Sequence, residues 1–374
     1  MIRRFFAGFD TTLFAAVLPI IAAGLVTMTS FSGETSFFSR QLAWALASIV
    51  LCMGIARIDV RFLRQSRILV ILYLLSLTLL AAVLVFGKTI KGSQSWIDFG
   101  GISIQPTDFA KIFVIGMLAK YFSRRHVEIA NPRHLYVSFL YVLVPTGLVL
   151  LQPDFGSAII ILGLWLGMAL IAGISRKHLL LIGGIFLAAI LVGWLFLFKP
   201  YQKARIISFV SPMSDIRGSG YNAYQSMIAV GSGQFLGKGV GYGTQSRLNF
   251  LPEYQTDFIF AAFAEEWGFV GALIILACFG VIIWRLITHA SRGASNFETL
   301  FCAGFAIMLL GHLVINVGMN IGLMPITGLP LPFMSYGGSH LLAEMIGLGI
   351  VFSMSRYERA IHRDDLQNEF VGYA

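Results

Sequence analysis

Charge is what this chain has least of. Only 12% of its 374 residues are Asp, Glu, Lys or Arg, against 57% apolar residues. A soluble domain covers itself with a far denser charged surface, so a water-exposed globule is excluded. Acids are scarcer still, 18 against 27 lysines and arginines. Cysteine is also rare. Cys52, Cys278 and Cys302 all fall in apolar runs, without metal-binding spacing or evident pairing, and read as small core residues. Internal repeats, a soluble domain, a Walker loop and a dinucleotide fingerprint are all missing.

What the chain has instead is long apolar runs. A helix needs about 20 apolar residues to cross about 30 Å of hydrocarbon. Ten such runs are expected, at approximately 11–31, 38–56, 68–87, 109–122, 135–151, 157–174, 178–198, 258–285, 298–321 and 340–355. The fold class is therefore an all-α integral membrane protein, one membrane domain spanning 1–374. The start, Met1-Ile-Arg-Arg, reads as an uncleaved anchor.

Arginine and lysine set the expected orientation. Arg3 and Arg4 precede the first run. Arg57, Arg61, Arg64 and Arg67, then Arg124, Arg125 and Arg133, then Arg176 and Lys177, then Arg285 and Arg292 fill alternate connections, and Arg356, Arg359 and Arg363 follow the last run. The positive-inside rule assigns these segments and both termini to the cytoplasm. The +9 net charge is this signal, and nucleic-acid binding is not expected.

The other side carries the unusual sequence. Gly87 to Asp108, a large structured loop over about 199–256, and Gly322 to Ser339 are rich in Gly, Pro and polar residues. The long loop holds Tyr221, Tyr224, Met227, Phe235 and Leu236, apolar material to bury, which argues against disorder.

Five constellations stand out. In the first, Gly92–Gly101 followed by Ile104–Lys111, Trp96 is either an interfacial aromatic or a platform for a sugar or lipid. Asp108 and Lys111 share a helix face; either they neutralise one another, or Lys111 faces an anionic group such as a pyrophosphate. Asp154, in Leu151–Gly156, is expected to cap the next helix. The Gly231–Gly243 loop, with Lys238, has the flexibility to approach a phosphate. In Leu251–Phe260, Thr256 is expected to cap a helix whose first turn holds Asp257, with Glu253 beside it. An acid at a membrane mouth is by default a functional hypothesis. Glu265 and Glu266 lie deeper, and at least one is expected to make an interhelical contact. Finally, Asn320–Ser339 holds too many prolines and glycines for a continuous helix. It is expected to line a cavity, while Glu344 needs a partner from elsewhere.

At Gly92–Lys111, Gln152–Gly156, Gly231–Phe260 and Asn316–Ser339 the chain resembles the SEDS family (shape, elongation, division and sporulation). Gly243-Thr-Gln-Ser246 and the short termini look more like its RodA branch than its division branch. The resemblance covers nearly the whole chain. It implies a ten-helix peptidoglycan glycosyltransferase in the bacterial inner membrane, acting in cell elongation with its site facing outward. The implied substrate is lipid II, a disaccharide-pentapeptide on an undecaprenyl pyrophosphate carrier. It implies a class B penicillin-binding protein and other elongation-complex membrane proteins as partners, and a divalent cation, Mg²⁺ or Mn²⁺. The family's essential outer aspartate matches Asp257, and its motif tryptophan and lysine match Trp96 and Lys111. Two departures stand out. The family's Pro-Ser-Glu is here Pro106-Thr107-Asp108, and the small pair after Tyr-Gly-Gly has become Ser339-His340.

On this reading Asp257 is a base or a cation-orienting acid, while Lys111 and the cation stabilise pyrophosphate. Asp108, Lys238 and Glu253 complete the expected substrate contacts. The rival reading is a lipid II flippase. Against it, the ionisable residues gather at one face rather than near the midplane of two related halves.

Overall fold

The computed structural model describes residues 9–30, 35–90, 93–98, 103–124, 132–197, 220–248 and 250–371, with 100, 203, 207 and 209. The expectations for Arg3, Arg4, Arg125 and most of 199–219 lie outside the described residues. The helices are α1 Thr11–Thr29, α2 Thr35–Ile55, α3 Ser66–Phe86, α4 Pro106–Ser123, α5 Pro132–Leu151, α6 Phe155–Ala172 and α7 Arg176–Val192. After these come α8 Tyr221–Ser232, α9 Thr244–Arg247, α10 Ile259–Ser291, α11 Asn296–Asn320 and α12 Gly338–Val371.

Among the described residues, nine helices are long and apolar enough to cross a membrane. The expected run 109–122 is α4, an 18-residue helix that stands apart because Asp108, Lys111 and Lys120 lie on it. It is sheltered by protein instead: α3, α6 and α11 pack around it, and Asp108, Lys111, Ile115 and Leu118 are all buried. A charged helix becomes tolerable in a bilayer when its neighbours supply the partners. The turn at Gln152–Asp154 does separate two helices, as expected. α7 is the opposite of α4. Leu180, Leu181, Ile185, Phe186 and Leu191 are exposed on it, an apolar surface suited to lipid.

The connection after α3 adds structure the sequence did not announce. Strands β1 Lys88–Ile90, β2 Ser93–Asp98 and β3 Ser103–Ile104 form an antiparallel sheet in that order. Lys88 pairs with Trp96, and Ile97 with Ile104. Isoleucine, threonine and tryptophan favour such a pleated surface, and Lys88 Nζ closes it onto Asp98 at 2.5 Å.

α10 is broken at Gly268, whose φ of 67° and ψ of −165° are not helical. The glycine-rich loop crosses this break. Phe269 and Val270 N–H donate to the Gln234 and Phe235 carbonyls at 2.9 and 3.2 Å, while Lys238 and Gly239 N–H donate to the Glu265 and Glu266 carbonyls at 3.0 Å. A Cβ on Gly268 would stand 2.3 Å from the Gly237 nitrogen, so the crossing requires glycine.

One end of the bundle is held by buried ion pairs. Asp10 caps α1 through the Thr12 and Leu13 N–H groups at 3.1 Å. It also accepts from Arg285 Nε at 2.8 Å and lies 2.7 Å from His289 Nε2, both on α10. Burial pushes the Asp10 pKa up, but the His289 and Arg285 bonds outweigh it and hold the carboxyl below the usual range. Arg64 pairs with Glu298, and Lys120 reaches the Arg64 carbonyl, at this same basic end.

Candidate active site

Four of the five constellations meet at the other end of the bundle, where α4, α6, α10 and α12 begin and α11 finishes. Asp257 lies in a turn, not in a helix. α10 starts at Ile259, its N-cap residue is Phe258, and no side chain caps it. This corrects the expected role of Thr256, whose hydroxyl instead turns to Glu253 Oε2 at 3.1 Å. The turn is tight because Glu253 has φ of 57° and its carbonyl accepts from Thr256 and Phe258 N–H at 3.1 and 3.2 Å.

Two asparagines hold that turn from α11. Asn316 Nδ2 donates to the Asp257 carbonyl at 3.0 Å and to the Leu329 carbonyl at 2.7 Å. Asn320 Nδ2 donates to the Asp257 carbonyl at 3.1 Å, and its Oδ1 accepts from Ala261 N–H at 3.2 Å. Both asparagines are fully buried, whereas the Asp257 side chain sits in an intermediate environment. The backbone is thus fixed from below while the carboxylate keeps access to solvent. Neither asparagine was assigned a role from sequence. The signal was there: His312, Asn316 and Asn320 repeat every four residues on an apolar helix, one polar stripe.

The proline-rich segment packs on the same turn. Tyr336 N–H donates to the Gln255 carbonyl at 2.8 Å, and Ser335 Oγ donates to the Thr256 carbonyl at 2.7 Å. Gln41 on α2 bridges the Ser335 carbonyl and Gly337 N–H at 3.1 and 3.2 Å. Glu344 finds its partner here, accepting from Phe333 N–H at 2.8 Å. Protein groups therefore satisfy this irregular backbone, as its depth requires.

Asp108 joins this segment to α4. Its carboxylate lies 3.3 Å from Lys111 Nζ and 3.2 Å from His340 Nδ1, and accepts from Ser339 Oγ at 3.4 Å. Lys111 is 2% exposed and also lies 3.4 Å from His312 Nε2. The charge pair is therefore formed, and Lys111 works from inside the protein. The unexplained imidazole of the sequence, His340, sits between Asp108 and Glu344. Asp154 caps α6 through Ser157 N–H at 3.0 Å and accepts from Gln105 Nε2 at 3.2 Å, as its spacing suggested. Trp96 lies on β2, whose Ser93 hydroxyl donates to the Gln152 carbonyl at 2.8 Å.

The glycine loop does not join this cluster. Its donors serve the protein's own carboxylates. Glu265, wholly buried, accepts from Thr244 N–H at 2.9 Å and Gln245 N–H at 3.1 Å and pairs with Lys238 at 2.7 Å. Glu266 accepts from Gly241 N–H at 3.0 Å and from Ser30 Oγ at 3.2 Å. Glu265 thus meets the interhelical contact expected of at least one of these acids, reaching α9, while Glu266 ties α10 to the residue that ends α1.

Fold and site together define a multi-pass membrane protein with a carboxylate held at a helix mouth above a buried charge network. The chain belongs to the FtsW/RodA/SpoVE family of cell cycle proteins, whose pattern matches residues 3–360. It is 35% identical to the peptidoglycan glycosyltransferase MrdB of Escherichia coli strain K12, over 95% of each chain. Stage V sporulation protein E of Bacillus subtilis is 36% identical over 94% of this chain and 98% of its own. Among solved structures, a chain from a peptidoglycan synthase complex, described as coordinating polymerization and crosslinking, is 33% identical. It superposes with a TM-score of 0.80 over 93% of this chain and 98% of its own. The rod shape determining protein RodA of Thermus thermophilus is 31% identical, with a TM-score of 0.70 over 93% and 97% of the two chains.

Proposed function

We infer that the chain is a peptidoglycan glycosyltransferase that polymerises lipid II into glycan strands during cell elongation and rod-shape maintenance. The observation that carries this reading is the Asp257 turn, its backbone fixed by Asn316 and Asn320 and its carboxylate left accessible. In the reaction an acceptor hydroxyl attacks the anomeric carbon of the donor sugar. The bond from that carbon to the pyrophosphate oxygen breaks, the carrier pyrophosphate leaves with the electron pair, and Asp257 takes the hydroxyl proton. One displacement converts an α-linked donor to a β-linked product, as in inverting glycosidases. Trp96 and Glu253 are assigned to the sugar, at the rim.

Lys111 is assigned to the leaving group. Its burial makes it a field source rather than a surface clamp, and a fixed charge in low dielectric acts strongly on developing negative charge. Asp108 positions it. Lys238 is spoken for by Glu265, so its part is to hold the loop on α10.

The family resemblance adds a Mg²⁺ or Mn²⁺ ion. Asp257 and Glu253 fit such an ion in chemistry, being oxygen donors on a partly open turn. When bound, it would neutralise pyrophosphate charge.

The arginine-rich connections support an inner-membrane topology with the Asp257 end outside. Similarity to a chain of a complex that couples polymerization and crosslinking supports a class B penicillin-binding protein as partner. Purified chain in detergent, given lipid II and a divalent ion, tests the activity. Glycan strands are expected on a gel. A flippase yields none, because detergent has no two sides.

A further inference from the structure

Beneath the Asp257 turn, His312 on α11 and His340 and Glu344 on α12 converge inside the protein, exposed by 0%, 6% and 1%. Each offers one donor atom, and the three lie within 4.8 Å of one another. His340 Nε2 and Glu344 Oε1 approach to 2.8 Å. That contact is an ion pair when His340 is protonated, and neither atom has another hydrogen-bond partner among the described residues; His312 Nδ1 has none. Leaving a buried polar atom unsatisfied costs about 1–3 kcal/mol, so native interiors hold few of them. A single ion between the three side chains would serve all of them.

We propose that His312, His340 and Glu344 form a binding site for a first-row transition-metal dication, Zn²⁺ foremost. It lies beyond the polymerase reading and is separate from the hard-cation chemistry at Asp257. Two imidazoles and a carboxylate suit zinc, with a fourth position left for water. In a tetrahedral site the ligand atoms stand about 3.3 Å apart. The His340–Glu344 contact, at 2.8 Å, is already near that edge length, and the His312 ligand atom lies within 4.8 Å of both.

The surrounding groups are those a metal site uses. Asp108 Oδ1 lies 3.2 Å from His340 Nδ1. A carboxylate that holds the Nδ1 proton fixes the tautomer in which Nε2 is the free ligand atom. Phe333 N–H holds the second Glu344 oxygen at 2.8 Å, leaving Oε1 for the ion. Lys111 is the cation that faces the cluster, 3.4 Å from His312 Nε2, and Asp108 offsets it at 3.3 Å. Glu344 then supplies the negative charge that draws the ion. Bound metal would tie α11 to α12 one helical turn below Asn316.

The full chain, purified in detergent and stripped with EDTA, is equilibrated with Zn²⁺, desalted, and its metal counted by plasma mass spectrometry. One zinc per chain is expected. His340→Ala and Glu344→Gln should each lower retained zinc by about tenfold or more, while His178→Ala retains it. Co²⁺ in the parent protein should show the intense visible absorption of a tetrahedral site, a readout that needs no variant to fold. Equal zinc in the parent and both variants overturns the proposal. So does a parent that retains neither zinc nor the cobalt spectrum, in which case the three groups form a protonated network only. Neither readout involves glycan synthesis, so failure here leaves the polymerase inference standing.

Discussion

Asn316 on α11 donates one side-chain amide to two carbonyls, Asp257 at 3.0 Å and Leu329 at 2.7 Å. A single buried group thus sets the spacing between the aspartate turn and the proline-rich segment. Asn316→Leu leaves both carbonyls without that donor. The expected cost is about 1–3 kcal/mol for each buried acceptor left unpaired, less at Asp257, which keeps Asn320. A misplaced reactive group loses up to about 10² in rate. Thermal denaturation in detergent and strand synthesis from lipid II should both fall in Asn316→Leu. Normal synthesis would show that the clamp does not position Asp257.

Asp257→Asn separates charge from shape. The residue precedes the helix, and two asparagines hold it through its backbone carbonyl. Stability should therefore change by less than about 1 kcal/mol. Strand synthesis should fall by about 10² to 10⁴, the contribution of a positioned acid–base group. Glu253→Gln should be milder. Parent-level synthesis by Asp257→Asn would remove the residue from the chemistry.

Apolar run length was enough to place the helices, because the bilayer demands length and continuity and little else. α4 was legible as a helix but not as a buried one, since sequence does not reveal what surrounds Asp108 and Lys111. The capping role of Asp154 was readable because it is local, an acid in a tight turn directly before an apolar run. Thr256 carried the same local signal and misled. The bond from Ser335 to its carbonyl and the positive φ of Glu253 are long-range and conformational constraints that delay the helix to Ile259. Glycines in 231–243 announced a flexible approach but not its target. That target is the break at Gly268 and the carboxylates beside it, which are distant in sequence. His312 and His340 are 28 positions apart and carry no motif, so only the packing of α11 on α12 joins them.

Asp10 gives a pH-dependent stability test at the basic end. Its carboxyl is held below its ordinary pKa by His289 and Arg285 despite burial. A depressed folded pKa adds stability that is fully present above the unfolded value of about 3.9 and is lost as pH falls further. Asp10→Asn should lower stability at pH 7 by about 1.5–3 kcal/mol, the worth of hydrogen bonds to a charged group. The gap between parent and variant should narrow below about pH 4, as Asp10 of the unfolded chain takes up a proton while the folded carboxyl stays ionised. Denaturation series at several pH values check this. A gap that stays constant down to pH 3 would mean that the charge on Asp10 carries none of the effect.

The pair Asp108 and Lys111 decides between structure and chemistry at the buried network. Both side chains are under 5% exposed, so removing one leaves an uncompensated charge. Lys111→Met should destabilise the protein by about 3–5 kcal/mol, reduced to the extent that His340 and Ser339 still serve Asp108. Adding Asp108→Leu should recover much of that stability, because an apolar pair of similar volume replaces a buried ion pair at little cost. Synthesis should behave differently. If Lys111 stabilises the departing pyrophosphate through its charge, the double variant is folded and still slow, with kcat lowered more than KM is raised. Full recovery of strand synthesis along with stability would reduce both residues to a neutralising pair. The two measurements on one double-mutant cycle therefore separate the roles.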